Sequence, residues 1–104
     1  MKSSEPDWEL VVAFINETLE DATGSFFELN EEAVKHFEVV RHLARHSEYE
    51  MAFEVLFLEI MKFPKMDFLD GDKVLEFALL LKLDTLTVYD DCFFEKLVSY
   101  CTTN

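Results

Sequence analysis

Apolar positions recur at the helical period from near the start of the chain. Trp8, Val11, Val12, Ile15 and Leu19 fall within about 100° of arc, and Glu9, Asn16, Glu17 and Glu20 lie outside it. This predicts an amphipathic helix from about Pro6 to Ala22, with Pro6 suited to a first turn and Gly24 to a left-handed stop. Ser25 to Leu29 reads as a short apolar connection. Asn30 is a candidate N-cap, with Glu31 and Glu32 behind it to complement the helix dipole. Ala33, Phe37, Val40 and Ala44 then make the apolar stripe of a second helix running to about Arg45.

Ser47-Glu48-Tyr49-Glu50 has the spacing of a capping box, which starts a third helix at about Glu48. From Tyr49 to Phe63 the polar residues are only Glu50, Glu54, Glu59 and Lys62, so the apolar surface wraps most of the helix and places it in the middle of a bundle. Pro64 is the expected stop, because the residue before a proline is pushed out of the α region. Asp70-Gly71-Asp72 reads as a turn, followed by a short helix over Val74 to Lys82 that is too apolar for the surface. Asp90 can cap a last helix with Phe93, Phe94, Leu97, Val98, Tyr100 and Cys101 on one side. Thr85 to Tyr89 has strand character but no partner strand.

The pattern therefore predicts an all-α fold, a compact single-domain bundle of five to six short helices over residues 1–104. Helix pairs joined by short turns leave a solenoid-like arrangement as the alternative. Composition agrees with helices: among 104 residues only 2 are Gly and 2 are Pro, so the turn residues of a β sandwich are missing. Residues 1–7 show no charged-then-apolar leader, and no apolar run approaches the roughly 18 residues of a membrane span. A soluble cytoplasmic protein is the expectation. Cys92 and Cys101, nine residues apart, would point to opposite sides of one helix, and unpaired thiols fit a reducing compartment.

Charge narrows the function. Lys and Arg number 9 against 22 Asp and Glu, a formal charge of −13 that opposes direct nucleic-acid binding and favours a basic partner. Known chemistries find little footing. His36, His42 and His46 are crowded together and Glu38, His42 and His46 follow i, i+4, i+8, but H-E-x-x-H is absent and Arg41 and Arg45 interrupt, so a solvated basic face is the plainer reading. Ser25, Ser47, Ser99, Cys92 and Cys101 sit in no nucleophile elbow, and no phosphate-binding glycine loop occurs. Asp67, Asp70 and Asp72 lack the order and the closing Glu of a calcium loop. No catalytic residue, cofactor or metal site is assigned. Dispersed acid serves solubility and can keep a small apolar-rich domain monomeric. Its sharper use is a surface that docks a basic protein, with carboxylates in sites otherwise used by phosphate.

Ser47-Glu48-Tyr49-Glu50-Met51-Ala52-Phe53-Glu54-Val55-Leu56 resembles a helix start recurring in small helical immunity proteins of bacterial contact-dependent growth inhibition and related toxin systems. The pattern there runs roughly Gly/Ser-Glu-Tyr-x-x-Ala-Phe/Leu-Glu-x-Leu. The similarity covers about ten residues, and Glu48, Tyr49 and Ala52 are equally explained as cap and core. It implies a cytoplasmic, non-enzymatic inhibitor that binds one-to-one to the C-terminal toxin domain delivered by a neighbouring cell, often a nuclease. A cationic nuclease site that must hold phosphate would attract such an acidic protein quickly. Acids at turns and helix ends, Glu20, Asp21, Asp67, Asp70, Asp72, Asp90 and Asp91, are the candidate acceptors for toxin Lys, Arg or His. The competing expectations are an acidic DNA mimic or anti-restriction protein, a helical adaptor that exposes an apolar groove, which Phe26, Phe27, Phe93 and Phe94 would favour if they exceed what one small core can bury, and an enzyme whose histidine cluster binds metal.

Overall fold

The computed structural model describes residues 7–26, 31–63 and 69–102, the side chains of residues 25 and 26 excepted. These hold five helices, α1 (Trp8–Phe26), α2 (Glu31–Arg45), α3 (Tyr49–Ile60), α4 (Gly71–Leu80) and α5 (Phe93–Thr102), and no strand. The all-α expectation is met. Thr85 to Tyr89 is irregular chain between α4 and α5.

α3 sits at the centre because it has almost no polar face to offer water. It packs most extensively on α2 and also meets α1 and α5, while α4 packs on α5. One apolar cluster draws on all five helices, from Val11 and Ile15 through Phe37, Phe53, Phe57 and Val74 to Phe93 and Leu97. Phe14 on α1 ties α4 to this core: its ring stacks 4.5 Å from Phe77 and about a further 2 Å away from Phe53 and Phe57, at 6.1 and 6.3 Å. The radius of gyration, 13.1 Å, matches the roughly 13 Å of a compact chain of this length.

α2 ends at Arg45 and α3 begins just after Glu48, as expected, and the boundaries that differ do so for identifiable reasons. The cap of α1 is Asp7, whose Oδ1 accepts from the Glu9 and Leu10 amides at 3.1 and 3.4 Å. α1 then runs through Gly24 to Phe26, and Gly24 has no positive φ, so it is an interior helical residue rather than a stop. Buried Ala22 keeps that last stretch docked on the core. Pro6 and Asn30 lie outside the described residues.

The capping box at Ser47 does not form. Ser47 has a φ of 61° and serves as the left-handed residue that ends α2, its amide donating to the Ala44 carbonyl at 3.1 Å while the Glu48 amide donates to Leu43 at 2.9 Å. A residue committed to closing one helix cannot also cap the next, so Glu48 takes the N-cap position of α3, without a side-chain cap bond. The same closure recurs at Lys82 after α4, with φ 61° and bonds from the Lys82 and Leu83 amides to Leu79 and Ala78. α3 ends at Ile60, before Pro64, which lies outside the described residues.

Asp70-Gly71-Asp72 is not a free turn. Asp70 is the N-cap of α4, its Oδ1 accepting from the Asp72 and Lys73 amides, and Gly71 is the first helical residue. A Cβ on Gly71 would meet the Cys101 carbonyl oxygen at 2.8 Å, so glycine lets the start of α4 lie against the end of α5. α4 is less buried than its composition suggests: Val74, Phe77 and Ala78 face the core, whereas Leu79 and Leu80 face solvent. Asp90 does cap the entry to α5, accepting from the Cys92 amide at 2.8 Å, although regular helix begins only at Phe93.

Candidate functional site

Two acids of α3, Glu54 and Glu59, are buried, and a carboxylate in an apolar helix must find partners or leave the core. Glu59, nearly buried, accepts at Oε1 from Lys62 Nζ at 3.1 Å and lies 2.5 Å from His36 Nδ1. His36 is thereby tied through Glu59 to α3. His42 and His46 lie with ring centroids 4.5 Å apart, tilted by 53°, at the exposed end of α2. Among the described residues no group of three or more His, Cys, Asp or Glu side chains is placed to hold a metal ion.

Glu54 is fully buried and makes no ion pair with a described residue. Its partners are three successive backbone amides of the α4–α5 connection: Val88 donates to Oε1 at 2.9 Å, and Tyr89 and Asp90 to Oε2 at 3.0 and 2.9 Å. Consecutive amides converging on one carboxylate form an anion-binding concavity, here filled from within by the protein itself. This latch fixes an otherwise irregular segment to the central helix. Below it Leu83 is buried in the core, and Asp90 is bound to Lys96 at 2.7 Å. The Lys96 ammonium and the Cys92 amide hold the Asp90 carboxyl below the usual carboxylate range, and Asp90 in turn raises Lys96.

The fixed segment forms one side of an open cleft of about 710 Å³. The first turn of α3 forms the other side, with Glu48, Glu50 and Met51. Across from them lie Lys82, Leu86, Val88 and Asp91. Glu50 precedes Glu54 by one helical turn, so the same face of α3 supplies both the cleft wall and the latch beneath it. Leu86 and Val88 are each 65% exposed, and of the seven large apolar residues exposed in the described chain, five fall between Leu79 and Tyr89. Apolar exposure is thus concentrated beside the cleft instead of scattered.

The acids expected from sequence occupy different places. Glu20 and Asp21 are exposed on the second half of α1, and Asp70 and Asp72 are exposed at the start of α4. Asp90 is partnered as described, and Asp67 lies outside the described residues. Asp91 alone of the described set lines the cleft. Glu48, Glu50 and Glu54 were missed as a site, although an acid in the middle of a helix read as central was the available signal that something must meet it. Cys92 is exposed and Cys101 buried, and neither forms a disulfide.

These features define a small all-α domain that carries, among the described residues, an acid-rimmed, partly apolar cleft with a latched wall. No family model matches the chain, and neither curated proteins nor solved structures give a match. No helix of the described residues is long and apolar enough to cross a membrane.

Proposed function

We propose that the protein is a non-enzymatic inhibitor that binds a basic protein through its acidic surface, acting in the cytoplasm as the immunity partner of a bacterial toxin domain. The observation that carries this reading is the cleft: exposed Leu86 and Val88 beside Glu48, Glu50 and Asp91, in a chain of net charge −13. Exposed aliphatic surface rimmed by charge is characteristic of protein–protein contacts, with the apolar centre supplying residence time and the rim supplying encounter rate. The segment resembling immunity proteins, residues 47–56, contributes Glu48, Glu50 and Met51 to the cleft and Glu54 to the latch. Its Ala52, Phe53 and Leu56 are core. A nuclease is the toxin chemistry that fits best, since a phosphate-binding site is cationic and carboxylates can occupy it.

A helical adaptor is the second reading, favoured by Leu79 and Leu80, which extend the exposed aliphatic surface along the end of α4. Co-purification of the tagged chain with the C-terminal fragment encoded by the adjacent upstream gene separates the two, together with growth of cells expressing that fragment. The inhibitor reading expects a stoichiometric complex and rescued growth. Absence of both, with micromolar self-association or capture of a helical partner, transfers the function to the adaptor.

A further inference from the structure

The cleft has two kinds of surface that call for one kind of occupant. Glu48, Glu50 and Asp91 are exposed carboxylates that form no ion pair with a described residue, set against the single ammonium of Lys82. Leu86 and Val88 offer aliphatic surface on the same cleft. The backbone at Val88 is already fixed by the Glu54 carboxylate, so docking there does not incur the ordering cost of a loose loop.

We infer that this cleft is a preformed docking site for a cationic, aliphatic-bearing segment of a partner protein. Leu86 and Val88 are its apolar anchors, and Glu48, Glu50 and Asp91 accept from Lys or Arg flanking the docked aliphatic group. The inference deepens the inhibitor reading and rests on its premise that the partner is a basic protein. Charge selects this occupant over the others. A second copy would set one chain of −13 against another, and a nucleic acid would bring phosphates to the three carboxylates. A neutral apolar helix would desolvate those carboxylates without pairing them.

The test is titration of the full chain with a synthetic amphipathic peptide of Leu and Lys, followed by amide chemical shifts. Oligolysine of equal charge and a Leu/Glu analogue serve as controls. The largest shifts are expected at residues 48–51 and 81–91. Leu86→Asp and Val88→Asp should each weaken binding about tenfold, whereas Leu10→Asp, at an exposed apolar site on α1, should change it less than about twofold. All three side chains are exposed, so the fold survives, and the same spectra verify it. Equal binding of oligolysine with shifts spread over the acids of α1 and α4 would overturn the proposal, as would a dimer that Leu86→Asp dissolves. Peptide binding in the cleft without growth rescue would remove the inhibitor reading and keep the docking site. Rescue undiminished by Leu86→Asp with Val88→Asp would keep the inhibitor reading and remove the site.

Discussion

At Glu54 three backbone donors depend on one buried carboxylate. Glu54→Ala leaves those donors facing an apolar gap. At about 1–3 kcal/mol for each unsatisfied buried group, partly relieved by water entering the opened segment, the expected loss is on the order of 3 kcal/mol. Hydrogen exchange of the Val88, Tyr89 and Asp90 amides should accelerate more than that of amides in α2. Equal acceleration throughout would show that the latch is not local. Asp90 gives a prediction in pH. Its carboxyl is held low first by Lys96 and then by the Cys92 amide, so the stabilisation from this pair is present above the usual Asp range. It is lost as pH falls through the depressed value. Lys96→Met should raise the Asp90 titration midpoint toward the usual range without fully reaching it, since the Cys92 bond remains; NMR titration of the carboxyl reads this directly. The apolar wrap of α3 was legible in the sequence, but not which of its acids is buried: Glu50 is exposed and Glu54, one turn on, is not. Its partners were not legible, since they are backbone groups 34 to 36 residues further on in a segment without periodicity.

At the scale of elements, the helices themselves were legible and only some of their ends were: α2 stops at Arg45, α3 starts just after Glu48 and Asp90 caps the entry to α5 as expected, whereas the end of α1 differs. Apolar stripes at Val11, Ile15 and Leu19 or at Phe93, Leu97 and Cys101 report burial, and burial is what the core selects. Helix ends depend on the next contact. Gly24 has the residue type of a stop but lies within a helix with open space at its missing Cβ, while Ser47 and Lys82, without glycine's freedom, close helices in the left-handed region. Gly24→Ala should therefore stabilise the protein by about 0.5 kcal/mol, through reduced backbone entropy in the unfolded chain. Gly71→Ala should destabilise it by about 2 kcal/mol, because the added methyl collides with the Cys101 carbonyl and separates α4 from α5. Urea unfolding of the two variants should give opposite signs. Ser47→Gly relieves a left-handed non-glycine residue and should stabilise by about 1 kcal/mol, whereas a working capping box at that serine would make the change destabilising.

At the scale of the whole molecule, net charge was legible and its organisation was not. Counting acids gives −13 wherever they lie, and clusters along the chain pointed to turns and helix ends. The fold gives those acids different duties: Asp70 caps a helix, Asp90 is paired, and Glu20 and Asp21 remain on the exposed side of α1. The cleft instead joins Glu48 and Glu50 to Asp91 across about 40 residues of sequence, and only packing of the α4–α5 connection against α3 brings them to one surface. The most direct measurement is association and dissociation kinetics with the proposed partner, the fragment encoded by the adjacent upstream gene, at low and high salt, for two charge-reversed variants. Reversal of Glu48, Glu50 and Asp91 to Lys should slow association by about tenfold or more and flatten its salt dependence, with reversal of Glu20, Asp21 and Asp72 having a smaller effect. The opposite ranking, or association indifferent to both sets, would contradict docking of a basic partner at the cleft.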